Sequence, residues 1–524
     1  MRNRRRTTRL TTALALGAAL LLQARAWAQS PAELAPADTP IFIHVNELSN
    51  WFGELTDGPI GQKWRTEIQK AQGSGDLLTA LGMNVDQFMD AYFGGDVVIL
   101  GTGNNAEGKE GPGAIFTKVD QADRNRAIES LGLTKVDAIA GNPVYTGADG
   151  DGYIVMTDNW VAMCDLDSYE YLQSVLTQAD NAPRLADSET YMRWTKGLPA
   201  DRSMTLLAIE NETSQHAIGV VRKGKGMDAT YLGTSPDYDD MMAILGETSV
   251  AEFGPLPAEA SAITFNIKSS AESRTELDKL DLLMGGKSFV DDLLPKLDAP
   301  TVLFASSVPG NNVDPNVDVQ VPVMGMAFKM NDPAAAIYLD AIFDSSVMLT
   351  NFAVVNFEAG LIPQRTSEYG GSTFKVAEIG KPLAAGVEFS EIAPIQIVYG
   401  VVGDYYIVCT QEVFFKQCVD ANKAGKAMRI EIEGKPHRLA KTPVLAMNAQ
   451  PDRFGSFMLS WVKLFEANKQ LPQVLGGQAF SDPETIEALK DVAAMFQQYA
   501  LVKMQLWTGE DGIVIGRAQL IAPQ

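Results

Sequence analysis

The chain has 524 residues, 46% of them apolar, with 65 acidic residues against 43 basic and a net charge of −22. That surplus of negative charge opposes binding to nucleic acid and to anionic membrane surfaces, whose phosphates attract Lys and Arg. Three cysteines are too few for a disulfide scaffold, and a chain this long buries a core without staples, divided among roughly two to four domains.

The first element is an export signal. A basic stretch, "MRNRRRTTRL", is followed by the apolar "TTALALGAALLL" and by Ala26-Trp27-Ala28, an A-x-A cleavage site. This is the layout of a secretory signal peptide, and its apolar run is too short to span a bilayer. Residues 1–28 are therefore expected to be removed, leaving Gln29 at the new N-terminus. No Cys stands there to carry a lipid anchor. Arg4-Arg5-Arg6 contains an arginine pair, but any run of Arg does, so an ordinary basic signal is preferred to a twin-arginine one. Six Arg leave with the signal, so 37 basic residues face 65 acidic ones, a net of −28. No later stretch has the ~18 apolar residues of a membrane helix. The nearest, "SVMLTNFAVVNFEAGLIP", is broken by Asn351, Asn356 and Glu358.

After a short linker at 29–34, "PADTPIFIHVNE" opens the body of the chain at Pro36, and related stretches begin at Pro199, Pro257 and Ala440. Each reads as a loop leading into a strand, where Pro is tolerated because no ladder donor is needed. Short amphipathic helical pieces follow the first, then the strand "DVVILG". Next, "GAIFTKVDQADRNRAIESL" matches "GMAFKMNDPAAAIYLDAIF" further on, with Gly113, Phe116 and Asp120 spaced as Gly325, Phe328 and Asp332. The shared shape is a strand, an acidic N-cap and a helix, with Pro333 suited to the first helical turn. Cys164 and Cys409 then fall near matching strand ends, each before a helix and each after a hairpin turned by "TDN" or "GD".

These matches divide the chain into an α+β repeat at 35–254 and a second at 255–524, the second carrying a helical insertion at about 453–500. In that insertion Ser481 and Glu484 form a capping box, and Ile486, Leu489, Ala493, Phe496 and Tyr499 share a helical face. The expected fold is α+β: a tandem duplication of an antiparallel-sheet unit with helices packed on one face.

The export signal, the "PADTP" start, the stretch "LGMNVDQFMDAYFGGDVVIL" and the acidic body together resemble a group of uncharacterised exported bacterial proteins. These begin with an LPADT-type motif and end a helix in Gly-Gly before a strand. The likeness covers about the first hundred residues of each repeat and implies no catalytic residue.

The chemistry-bearing residues assemble no recognisable motif. His44, His216 and His437 lack metal-ligand spacing, and no H-E-x-x-H, C-x-x-C or G-x-S-x-G occurs. The G-x-G at Gly101 has no third Gly, no Lys-Ser/Thr and no following helix to complete a phosphate loop. Asp149 with Asp151, and Asp314 with Asp318, are oxygen-rich turns without the terminal Glu of a calcium loop. No catalytic, cofactor-binding or metal residue is assigned, and no cofactor is expected. The reading carried forward is an exported, non-catalytic cell-envelope protein, periplasmic or secreted, that binds an envelope or extracellular partner or acts structurally. Two alternatives stay open. One is a periplasmic carrier of an apolar ligand, suggested by the 20 Met. The other is a hydrolase whose carboxylates meet only in the fold. The long loops "GTGNNAEGKEGPG" and "SSVPGNNVDPNVDVQVP" are the candidate binding loops.

Overall fold

A computed structural model of the chain describes residues 31–51, 81–103, 111–147, 150–179, 182–224, 226–248, 253–310, 320–355, 362–378, 396–426, 428, 437–467, 483–497, 499–509 and 512–522. The expected signal peptide, residues 1–28, lies outside them. The chain divides into two units, Met1–Ser235 and Pro236–Gln524.

The N-terminal unit holds ten strands: β1 (Ile41–Asn46), β2 (Asp96–Gly101), β3 (Gly113–Thr117), β4 (Thr134–Ile139), β5 (Asn142–Thr146), β6 (Gly152–Met156), β7 (Val161–Asp165), β8 (Met204–Ile209), β9 (Gln215–Lys223) and β10 (Gly226–Thr234). All their pairings are antiparallel, in the order β10-β9-β8-β1-β2-β3-β7-β6-β5-β4. The C-terminal unit holds β11 (Ser261–Phe265), β12 (Leu297–Pro309), β13 (Gln320–Met330), β14 (Gln364–Tyr369), β15 (Ser372–Glu378), β16 (Gln396–Val402), β17 (Tyr405–Cys409), β18 (Thr442–Ala449), β19 (Leu501–Thr508) and β20 (Val514–Ile521). Their order is β20-β19-β18-β11-β12-β13-β17-β16-β15-β14, again antiparallel throughout. The two orders correspond strand for strand. The four Pro-led stretches become β1, β8, β11 and β18, and within each unit the two strands they lead into pair directly, β1 with β8 and β11 with β18.

The expected α+β layout, with helices packed on one face of a sheet unit, is overturned. Among the described residues the fold is a sheet-rich antiparallel one of twenty strands, and in the C-terminal unit helices lie on both faces. Successive residues of a strand point to opposite faces. Val398, Val402, Ile407 and Cys409 join one core cluster with Phe414, Phe415, Cys418 and Val419 of the helix Glu412–Lys423. Their neighbours Tyr399 and Tyr406 join another with Ala335, Leu339 and Ile342 of the helix Ala335–Val355. Full burial of side chains such as Phe414 and Phe415 contributes about 2–3 kcal/mol each, so neither face can be left open there. In the N-terminal unit Ile154, Met156, Val161 and Met163 pack with Val85, Phe88 and Tyr92 of the helix Val85–Phe93. Val155 and Ala162, on the other face, are fully buried as well.

Local signals behave as their chemistry requires. Asn84 and Gln87 form a capping box on the helix Val85–Phe93. Asp120 accepts from the Ala122 N–H at the start of the helix Gln121–Ser130, and Asp332 accepts from the Ala334 N–H at 2.9 Å. Gly325 is required by close approach: a Cβ there would meet the Val408 carbonyl oxygen of β17 at 2.2 Å. All three cysteines are free, Cys409 and Cys418 buried and Cys164 half-buried. Burial pushes the Cys409 thiol up to about 12, so it acts as a small apolar side chain.

Candidate ligand-binding groove

The residues weighed from the sequence do not converge. His44 lies on β1 with Nε2 2.8 Å from Asp96 Oδ1, and Lys118 Nζ donates to Asp96 Oδ2 at 2.6 Å. Burial alone would raise the Asp96 carboxyl, but these two hydrogen bonds outweigh it and hold the group down to about 2. His216 on β9 sits between Tyr231 and Ser214, at 2.8 and 3.3 Å. His437 precedes β18 and accepts from the Leu439 N–H at 3.3 Å. Among the described residues no three His, Cys, Asp or Glu side chains gather as a metal ion would need. Asp149, Asp314, Asp318, Ser481 and most of the loop after Gly101 lie outside the described residues. No described helix is long and apolar enough to cross a membrane.

The fold does bring two carboxylates together, a pairing that sequence spacing did not single out. Asp340 and Asp344 stand one turn apart on the helix Ala335–Val355, facing β15 to β17. Lys375 Nζ reaches both, at 3.3 and 2.7 Å. The Tyr399 hydroxyl donates to Asp344 at 2.7 Å and the Tyr406 hydroxyl to Asp340 at 2.6 Å. Gln364 donates to Asp344 at 3.0 Å. Burial would raise the Asp344 carboxyl, yet the bonds from Lys375, Tyr399 and Gln364 keep it below its ordinary range. Burial and the neighbouring carboxylates push both phenols up, so they stay protonated and donate. Lys375 and the two phenols thus engage both carboxylates. The cluster ties a helix to a sheet.

A groove of about 270 Å³ lies elsewhere in the C-terminal unit. Its floor is the end of the β12–β13 hairpin, where Met324 pairs with Ala305 and Pro322 with Ser307. Its wall is the start of the helix Pro451–Ala467, which presents Phe454 and Phe457. This helix belongs to the predicted insertion. β8 and β9 are joined by a short turn at 210–214, whereas β18 and β19 are joined by residues 450–500, with two described helices.

Polar contacts hold the wall in place. The Gln450 N–H donates to Ser261 Oγ at 2.9 Å, and Trp461 Nε1 donates to the Gln320 carbonyl at 2.8 Å. The second helix, Pro483–Gln497, braces the first through an edge-to-face contact of Phe496 with Phe454, ring centres 5.0 Å apart. Gly455 permits that approach, since a Cβ there would meet the Ala493 carbonyl oxygen at 2.5 Å. The predicted stripe through Ala493 and Phe496 thus packs helix on helix.

Met324 is 62% exposed and Phe454 49% exposed. One pleat further along the same face runs a cross-strand row, Met326–Leu303–Ile263–Met447–Met504, every member apolar. Leu303 in this row is 40% exposed. Groove and row form one apolar track. Sequence reading missed it because the row takes one residue from each of five strands. Only the abundance of Met pointed towards it. No family model matches the chain, and the searches of curated proteins and of solved structures found no match.

Proposed function

We propose that the protein is an exported, non-catalytic cell-envelope protein, periplasmic or secreted, that binds an apolar ligand in the groove of its C-terminal unit. The export half of this reading rests on the basic and apolar segments before Gln29 and on the A-x-A site. The binding half rests on one observation: large apolar side chains, Met324, Phe454 and Leu303, stand exposed on one contiguous track beside a helix anchored by hydrogen bonds. Isolated exposed apolar residues are ordinary, but a contiguous patch marks an interaction site. Methionine suits such a surface because its unbranched side chain adapts to different shapes. A hydrolytic reading has less support, because the Asp340 and Asp344 pair is engaged by Lys375 and by phenol donors.

The test uses N-phenylnaphthylamine, whose fluorescence rises in apolar surroundings. The mature chain should bind it saturably. Met324→Asp, which places a charge on the groove floor, should weaken binding by about tenfold or more with the far-UV circular dichroism unchanged. Equal binding by the variant would overturn the groove as the site.

A further inference from the structure

Among the described residues, two charges without an ion-pair partner stand at the groove. Arg453 on the wall helix and Glu259 just before β11 both line it and both are exposed. Neither has an ion-pair partner among the described residues. The rest of the lining is Ser, Ala, Pro, Val, Met, Phe and one Gln. That Gln, Gln450, is already engaged with Ser261 and with the Ala258 carbonyl. The site therefore offers one cation, one anion and an otherwise largely apolar lining.

Resting on the binding role proposed above, we infer that the ligand is a single-chain zwitterionic amphiphile, with an anionic group for Arg453 and an ammonium group for Glu259. A guanidinium matches a phosphate or carboxylate through paired N–H donors. A carboxylate accepts from an ammonium. A purely anionic head would meet Arg453 but be opposed by Glu259, and a neutral head would leave both charges unmatched. The apolar part has a path. The groove, at about 270 Å³, falls just below the ~300 Å³ of the smallest drug-sized pockets, so it holds only part of such a molecule. The adjoining row spans five strands. At ~4.8 Å per strand spacing it is ~19 Å long, an apolar path exposed at Leu303 and half-buried at its other four members.

The experiment displaces N-phenylnaphthylamine from the full mature chain with three amphiphiles of the same acyl chain: lysophosphatidylethanolamine, lysophosphatidylglycerol and a monoacylglycerol. The zwitterionic lipid should compete about tenfold better than either of the others. Glu259→Gln should erase its advantage over the anionic lipid. Arg453→Gln should erase the advantage of the zwitterionic lipid over monoacylglycerol. Both variants alter exposed residues and should melt as the parent does, and in each the three lipids are ranked against that variant's own probe affinity. Equal competition by all three lipids, or an unchanged ranking in both variants, would overturn the inference. If that happens while Met324→Asp still weakens probe binding, the head-group assignment alone fails. If Met324→Asp binds the probe normally, the groove itself is wrong.

Discussion

Asp96 stands between His44 and Lys118, with Lys118 in turn 4.9 Å from the ring centre of the buried Trp160. Its carboxyl is held at about 2, below its ordinary 3.8, because the two hydrogen bonds outweigh burial. A carboxyl depressed in the folded state stabilises above its unfolded pKa, and that stabilisation disappears as pH falls through the folded value. The window therefore runs from about pH 4 down to about pH 2, and the contribution at neutral pH is about 2 kcal/mol. Asp96→Asn should lower the urea-unfolding free energy by about that amount at neutral pH and flatten the loss of stability across the acid window. An unchanged acid limb would show that the ion pairs do not form in solution. None of this was visible in the sequence. His44 looked solitary because its partner Asp96 lies 52 positions away and Lys118, the other partner of Asp96, 22 further on, and the β1–β2–β3 ladder is what joins them.

At the scale of elements, the helical hairpin after β18 shapes the site. Its first helix is amphipathic and walls the groove, and its second braces the first through Gly455 and the Phe454–Phe496 contact. Gly455→Val should push the helices apart at the cost typical of overpacking, about 1–3 kcal/mol. The melting temperature should fall and the probe should bind more weakly, since Phe454 and Phe457 move with the helix. A variant that melts and binds like the parent would show that the helices do not pack there. The helix Pro483–Gln497 was legible from the sequence through its apolar stripe. The hairpins β4–β5 and β14–β15 were not. β4 and β14 are almost entirely exposed and lack the apolar alternation that marks a strand. Their turns were the available signal. Ala140-Gly141 and Gly370-Gly371 have positive φ at both central positions, the tight hairpin turn that Gly favours. The cysteine match also looks different in the fold. Gly325 lies opposite Cys409. With Gly113 taken as its counterpart, the β3–β7 register sets Asp165, not Cys164, in the place of Cys409. One residue of slip turns a side chain to the other face, which accounts for a half-buried Cys164 beside a fully buried Cys409.

For the whole molecule, export is the property carried most directly by a contiguous sequence. Mass spectrometry of the protein recovered outside the cytoplasm should find a chain beginning at Gln29. Full-length chain beginning at Met1 in that fraction would refute cleavage. The sequence alone determined the properties that depend on composition or on neighbours along the chain: the acidic surplus that opposes polyanions, the Pro-led strand starts, the Asp120 and Asp332 caps and the helix Pro483–Gln497. Tertiary structure alone decided the pairing of the Pro-led strands, the burial of the sheets on both faces, the Asp340–Asp344–Lys375 tie and the apolar track. The division has a physical cause. Caps, turns and signal segments act within a few residues, so their pattern can be read locally. A cross-strand row or an ion-paired cluster draws single residues from segments tens to hundreds of positions apart, and only strand order and register bring them together.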